Sequence, residues 1–129
     1  MEEKTVVSTD QAAGPFGGAP YSQAIVSNGF VFTAGQIGAK ADGSGLVGES
    51  VEEQTEQVFA NLNAILEAAG SSLDRVVKTT CFLSDLGNFS AFNEVYRRHF
   101  DGSFPARSTV GASLPPGVLV EIEAIATVG

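Results

Sequence analysis

The strand predicted at the C-terminal end carries the acidic side chains best placed for chemistry. Between residues 118 and 128 the even positions are all apolar, whereas Glu121 and Glu123 share the odd face with Leu119, Ile125 and Thr127. Residues two apart on one strand face are separated by about 7 Å, at a rise of about 3.3 Å per residue. Two carboxylates at this separation could pair with cations, share charge with an oligomer partner or position a water molecule. An ordinary solvated strand face accounts for the pattern equally well.

Arg107 is the cation that could meet these acids. It begins the preceding predicted strand, residues 107–110, and the short spacing between the two strands allows a hairpin-like approach of Arg107 to Glu121. A guanidinium is a planar, permanently charged fork that fits a carboxylate. The pair therefore indicates either a structural salt bridge, which the sequence favours, or a binding site for a small acid.

Other reactive side chains give weaker signals. Cys81 lies in a stretch rich in Val and Thr without a base or a helix start nearby, so we expect a buried, inert thiol. The sole histidine, His99, follows Arg97 and Arg98 near the end of a predicted helix, where we expect it to be exposed. One cysteine and one histidine exclude a Cys/His metal cluster, so no metal site is predicted. Residues 35–38 lack the glycine spacing of a nucleotide-binding loop.

Length and charge limit the class of protein. The chain has 129 residues, with 7 Lys and Arg against 15 Asp and Glu and a net charge of −8. This length fits a single domain spanning residues 1–129. The acidic balance argues against nucleic-acid binding, which depends on Lys and Arg neutralising phosphates. The acidic N-terminal residues are unlike a signal peptide, and no apolar run approaches the roughly 20 residues of a membrane helix. We therefore expect a soluble, cytoplasmic protein.

Turn and capping residues divide the chain into strands and helices. Asn28-Gly29 between two β-rich runs predicts a hairpin. Ser50 with Glu53 predicts a capping box that starts a helix, and Gly70 is placed to end it. The remaining predicted elements are strands at residues 4–8, 23–27, 30–34, 75–82, 107–110 and 118–128, and a helix at residues 89–100 capped by Asn88.

This order of elements, β, ββ, α, β, α, ββ, predicts an α+β fold. Two helices on one face of a mixed sheet of about six strands form a two-layer sandwich. Phe89, Phe92, Tyr96 and Phe100 give the second helix an apolar stripe, which we assign to core packing in preference to cofactor binding. Two helices leave much of the other sheet face bare. Since such apolar faces are usually covered by another subunit, we expect an oligomer.

Eight short motifs follow one another from about residue 5 to residue 128. They are Pro20-Tyr21-Ser22-Gln23-Ala24, Ala34-Gly35-Gln36-Ile37, Glu53-Gln54-Thr55, Asn61-Leu62, Val76-Val77-Lys78-Thr79-Thr80, Asn93-Glu94-Val95-Tyr96, Pro105-Ala106-Arg107-Ser108 and Glu121-Ile122-Glu123-Ala124. Each is weak alone. In this order and spacing they resemble the reactive intermediate deaminase family, also called the YjgF family.

The resemblance implies a chorismate-mutase-like fold and a homotrimer with three sites between subunits. Family members with deaminase activity hydrolyse 2-enamine and 2-imine acids, such as 2-aminoacrylate, to 2-keto acids and ammonia without a cofactor. The implied enzyme is a 2-iminobutanoate/2-iminopropanoate deaminase. The family's carboxylate-binding arginine falls on Arg107 and its water-orienting glutamate on Glu121, both catalytic. The resemblance implies Tyr21 and Asn93 as further substrate-binding residues, and we expect the backbone carbonyl of Arg107 and the backbone amide of Thr109 to contact the amine and the water.

Two segments depart from the family pattern, and both shape the cleft. The stretch from Arg107 to Leu114 is one residue shorter than usual, and Thr109 stands where some members carry cysteine. Ala19-Pro20-Tyr21 replaces the usual Gly-Pro-Tyr and follows an unusual Phe16-Gly17-Gly18. These differences bear on substrate preference more than on fold.

Two other functions remain open. The same arginine cleft could sense a small keto acid without catalysis and regulate a partner. Some relatives are ascribed an endoribonuclease or translation-inhibitor role, against which the net charge of −8 weighs.

Overall fold

The computed structural model describes residues 3–129, which form a seven-stranded sheet and two α-helices. The predicted α+β class is confirmed. The two-residue strand Gln36–Ile37 was missed, because it is too short to show an alternating pattern. The strands are β1 (Thr5–Val7), β2 (Ala24–Ser27), β3 (Phe30–Thr33), β4 (Gln36–Ile37), β5 (Val76–Leu83), β6 (Ala106–Gly111) and β7 (Val120–Thr127), and the helices are α1 (Val51–Ala68) and α2 (Phe89–Arg98).

The strand order in the sheet is β1-β2-β3-β7-β5-β6, and β4 pairs with β7 beyond the end of β3. Neighbouring strands are antiparallel except β5 and β6, which run parallel because α2 crosses over between them. The predicted hairpin-like approach of β6 to β7 is therefore wrong, since β5 lies between these two strands. Sequential proximity suggested a hairpin, whereas the crossover places β6 at the sheet edge.

Local turn and capping signals correspond to the observed structure. Asn28 and Gly29 have φ angles of 54° and 81°, as a hairpin turn of this type requires. The Ser50 hydroxyl accepts a hydrogen bond from the Glu53 backbone N–H at 3.1 Å, and the Glu53 carboxylate accepts one from the Ser50 N–H. Gly70 follows α1 with a φ of 82°. The capping box and the glycine stop of α1 are therefore confirmed.

The second helix differs from the prediction at both ends. Asn88 precedes α2 but its side chain makes no capping hydrogen bond, and α2 ends at Arg98 rather than at Phe100. Asp85 performs the local capping instead, since its carboxylate accepts a hydrogen bond from the Gly87 N–H at 2.8 Å. A one-turn 3₁₀ helix joins this cap to α2.

His99 is more enclosed than expected. Its ring stacks on Phe59 with centroids 4.2 Å apart, and Nε2 lies 3.0 Å from Glu56 Oε1. The side chain is 22% exposed. The expectation of an exposed histidine is wrong, because α1 packs against the end of α2 and supplies both partners.

The core lies between the two helices and one face of the sheet. Phe59 and Leu62 of α1 and Phe92 of α2 are buried against the even positions of β7, including Ile122. The predicted alternation of β7 is thus confirmed. The opposite sheet face keeps large apolar side chains in solvent in this single chain, namely Val6, Phe30, Phe32 and Val110.

A buried amide ties α1 to the loop that leads into β7. Gln54 Nε2 donates to the carbonyl oxygens of Gly48 and Gly117, each at 2.9 Å, and Gln54 Oε1 accepts from the Leu119 N–H at 2.8 Å. These hydrogen bonds position the start of the strand that carries Glu121. No helix among residues 3–129 is both long and apolar enough to cross a membrane.

Candidate functional site

Arg107 lies on the edge strand β6 with its side chain on the helix face. Its Nη1 donates a hydrogen bond to Asn93 Oδ1 at 2.8 Å. The guanidinium carbon lies 4.7 Å from the centroid of the Tyr96 ring and 5.6 Å from that of Phe92, distances at which a cation is attracted to a ring face. Within residues 3–129 no carboxylate pairs with Arg107. The favoured structural salt bridge is therefore not formed within the chain.

The aromatic stripe of α2 accordingly has two roles. Phe92 and Tyr96 are core residues, as predicted, and their rings also support the guanidinium of Arg107. The Tyr96 hydroxyl lies 2.7 Å from Thr79 Oγ1, a hydrogen bond that fixes the ring beside Arg107. Phe89, at the start of the stripe, is 40% exposed and lies 5.6 Å from the guanidinium.

A cavity of about 270 Å³ opens beside Arg107. Arg97 adds a second guanidinium to its lining, and Asn93 adds a polar side chain. Guanidinium groups bind carboxylates through paired N–H donors. This cavity can therefore hold a small organic anion by its carboxylate. The remaining lining residues are Tyr96, Phe104 and Pro105.

Glu121 lies on the opposite face of the sheet, in a separate cavity of about 290 Å³. Its carboxylate is directly over Gly35, so that a Cβ added at Gly35 would lie 2.8 Å from Glu121 Cδ. Partial burial, followed by the charge of Glu123, raises the pKa of Glu121 above its usual range. A carboxylate with a raised pKa is a better general base near neutral pH than an ordinary one.

Tyr21 lines the cavity that contains Glu121. Its hydroxyl accepts a hydrogen bond from the Phe16 backbone N–H at 3.2 Å. The ring is 43% exposed. Tyr21 and Glu121 are thus brought to one cavity, whereas Asn93 and Arg107 are brought to the other.

Thr109 is on the helix face, two residues after Arg107, and pairs in register with Cys81 of β5. Its hydroxyl oxygen is buried and has no hydrogen-bond partner within residues 3–129. Cys81 is completely buried, as expected, and this burial raises the pKa of its thiol to about 11. The thiol is therefore neutral at physiological pH and unsuited to act as a nucleophile.

One chain does not bring Arg107 and Glu121 together. Arg107 pairs with Thr79 of β5, whereas Glu121 pairs with Phe82. The two residues are offset by about 10 Å along the strands and about 10 Å across them, and their side chains leave opposite faces of the sheet. A site that uses both groups requires two chains. In the described part of the chain, no three His, Cys, Asp or Glu residues are grouped to hold a metal ion.

A family model described as Endoribonuclease L-PSP matches residues 12–128. The chain belongs to this family. It is the reactive intermediate deaminase family indicated by the sequence motifs, so that prediction is confirmed. Three relatives of the Endoribonuclease L-PSP family show the extent of the similarity.

Two of them are similar in sequence and one in structure. Reactive Intermediate Deaminase A, chloroplastic, of Arabidopsis thaliana is 48% identical over 126 residues, covering 97% of this chain and 66% of the relative. The human 2-iminobutanoate/2-iminopropanoate deaminase is 41% identical over 127 residues, which cover 98% of this chain and 91% of the relative. The crystal structure of yeast Mmf1 superposes with a TM-score of 0.92 at 45% identity, covering 98% of this chain and all of that chain.

Sequence analysis missed two residues that shape the candidate site in this chain. Gly35 was considered only as part of a rejected nucleotide-binding loop and of a family motif, although it makes room for the Glu121 carboxylate. Gln54 is a polar residue in the buried stripe of α1, and only its place in a family motif singled it out. A polar residue at an apolar helical position was the available signal for Gln54, whereas the close approach of Gly35 to Glu121 is visible only in the structure.

Proposed function

We propose that this protein hydrolyses 2-imino acids and their enamine tautomers to 2-keto acids and ammonia. The site is a cleft between two subunits of a homotrimer, where Arg107 of one subunit meets Glu121 of the partner subunit. The observation that carries this proposal is the arrangement of these two groups. Each lines a cavity and neither has an ion-pair partner within residues 3–129, yet they stand on opposite faces of one sheet.

The bare face of the sheet supports an assembly of several chains. Val6 is 60% exposed, Phe32 44% and Val110 44%, although all three belong to sheet strands. Large contiguous apolar patches on soluble proteins commonly mark protein contacts. This is the face that carries Glu121, so packing a second chain against it brings foreign side chains towards that carboxylate.

Arg107 binds the substrate carboxylate in the proposed reaction. Asn93 and the Tyr96 ring hold the guanidinium plane, which leaves further N–H donors for a two-point contact with the anion. Because an imine carbon is already electrophilic, fixing the substrate beside one oriented water supplies much of the catalysis.

Glu121 acts as the general base. It takes a proton from the water while the water oxygen bonds to C2, and the electron pair of the C=N bond moves to nitrogen. The proton on Glu121 and one from solvent pass to that nitrogen, and the hydroxyl of the tetrahedral intermediate loses a proton as the C–N bond breaks. Ammonia leaves and C2 becomes a ketone, so one water is consumed for each ammonia released. In the proposed reaction, the backbone amide of Thr109 and the Tyr21 hydroxyl contact the amine or the water.

The names of two relatives support this chemistry. The Arabidopsis relative is called a reactive intermediate deaminase, and the human relative is called a 2-iminobutanoate/2-iminopropanoate deaminase. The description of the family model instead names an endoribonuclease. The net charge of −8 weighs against RNA as the substrate.

A competition assay tests the proposed function. An amino-acid oxidase generates the imine, semicarbazide traps it, and the protein should divert it to keto acid faster than spontaneous hydrolysis does. Arg107→Ala should keep its circular dichroism spectrum and lose this acceleration. Keto-acid binding without acceleration in the unmodified protein would instead support the sensor function. RNA binding that falls steeply with salt would support the nuclease role.

A further inference from the structure

The cavity beside Glu121 is larger and more apolar than the smallest substrate of the proposed reaction requires. Its volume of about 290 Å³ is close to the lower end of small-ligand pockets, about 300–1,000 Å³. The side chain of 2-iminopropanoate is a single methyl group. Apart from Glu121 and Gln36, the lining is formed by nonpolar residues and Tyr21, among them Phe16, Ile37 and Pro115.

Phe16 is the largest apolar side chain at this cavity and is 60% exposed. Its backbone is nevertheless held in place. The Phe16 N–H donates to the Tyr21 hydroxyl at 3.2 Å, and the Ala19 N–H donates to the Phe16 carbonyl at 2.8 Å. Gly17 and Gly18, with φ angles of 54° and 71°, allow the tight turn that follows Phe16. The backbone that carries the exposed ring is thus tied to Tyr21, a neighbouring residue of the cavity.

Phe16 also borders a second cavity. This cavity of about 210 Å³ lies near Lys40 and Pro15. Phe16 lines both, together with Ala13, Gly14 and Ala39. Removing the phenyl ring would take a large apolar side chain away from the lining of the cavity beside Glu121.

Charge defines which side chains this cavity accepts. Glu121 and Glu123 point from the same face of β7, so an acidic substrate side chain would be repelled there. The wall offered by Phe16, Ile37 and Pro115 favours apolar groups instead.

We propose that Phe16 is a specificity-determining residue that makes this protein prefer 2-imino acids with branched aliphatic or aromatic side chains. The inference rests on the proposed imine hydrolysis and goes beyond it by naming the substrate class. The phenyl ring forms one wall of the side-chain pocket, and Glu121 lies at the reacting end.

The test compares kcat/KM for the imines of leucine and alanine, generated by an amino-acid oxidase. The unmodified protein should prefer the leucine-derived imine by at least about tenfold, because a hydrophobic pocket discriminates 10- to 200-fold per methylene. Phe16→Ala should lower kcat/KM for that imine about tenfold and change the value for the alanine-derived imine less than about twofold. Phe16→Leu should retain most of the preference. Leu86→Ala removes an equally exposed apolar side chain elsewhere and should alter neither value.

The outcomes separate this inference from the proposed function. Hydrolysis of both imines at a ratio unchanged by Phe16→Ala would overturn the inference and leave the function standing. No hydrolysis of either imine would overturn both. Light scattering of Phe16→Ala should give the same mass as the unmodified protein, whereas a changed mass would show that the ring is a subunit contact and would also overturn the inference.

Discussion

Arg107 donates a hydrogen bond from Nη1 to Asn93 Oδ1 at 2.8 Å, across the gap between the edge strand β6 and helix α2. A flexible side chain on an edge strand would otherwise sample many orientations, with an entropic cost on binding a ligand. The hydrogen bond and the Tyr96 ring at 4.7 Å restrict it to one plane. The carboxylate-binding capacity of the site therefore depends on α2 as much as on β6.

Asn93→Ala removes this hydrogen bond and should raise KM for imino acids about tenfold, since a hydrogen bond to a charged group contributes about 1.5–3 kcal/mol. The value of kcat should change little, because Asn93 acts through Arg107. Asn93→Asp should raise KM further, since the new carboxylate would form an ion pair with the Arg107 guanidinium and compete with the substrate. Steady-state kinetics measure both effects. Glu94→Ala, an exposed neighbour on α2, is the matched control, and an equal loss in that variant would contradict the positioning role.

Glu121→Gln should lower kcat about 10²–10⁴-fold with a small change in KM, as loss of a general base does. Glu123→Gln removes a carboxylate from the same strand face, two residues away, and should keep most of the activity. The rate of hydrolysis of the oxidase-generated imine, measured in competition with semicarbazide, distinguishes the two variants. Equal losses would show that general negative charge on β7, and not a base at residue 121, matters.

Gly35→Ala should displace the Glu121 carboxylate, because the new methyl would lie 2.8 Å from Cδ. A shift of about 1 Å in a catalytic group can cost about 10²-fold in rate, and we expect a loss in kcat of that order. Gly14→Ala adds the same methyl where no atom lies within 4 Å, and its kcat should fall far less. Comparable kinetics for the two variants would show that the close approach of Gly35 to Glu121 is unimportant.

Cys81 should resist thiol reagents in the folded protein and react once the chain is unfolded in guanidinium. Burial raises the pKa of the folded thiol from 9.0 to about 11, whereas an unfolded thiol ionises near 9. The folded state therefore holds the proton more tightly, and its stability falls as the pH rises from 9 to 11. The free energy of unfolding, measured with denaturant, should fall more steeply over this pH range for the unmodified protein than for Cys81→Ala. Parallel curves for the two proteins would contradict the raised pKa.

Signals that depend on neighbouring residues in the chain predicted the elements well. The Ser50 and Glu53 capping box, the Asn28-Gly29 turn and the alternation of β7 are decided by backbone geometry within a few residues. The same reasoning failed for Asn88, because a one-turn 3₁₀ helix precedes α2 and Asp85 provides the side-chain cap of that turn.

Contacts between distant segments could not be predicted in this way. The pairing of β6 with β5 depends on where α2 packs, and the stacking of His99 on Phe59 depends on the crossing of two helices. Arg107 and Glu121 were identified from their residue types and from motifs. Their placement on opposite faces follows from the order and register of the paired strands, which the sequence does not reveal.

Mixing two inactive variants tests most directly whether one site combines Arg107 and Glu121 from different subunits. Arg107→Ala and Glu121→Gln chains are unfolded together in equal amounts, refolded and assayed for imine hydrolysis. Random assembly of a cyclic trimer pairs an intact Arg107 with an intact Glu121 in about one site in four, so about a quarter of the unmodified activity should return. Activity no higher than that of the separate variants, with mixed oligomers shown by mass spectrometry, would contradict a shared site.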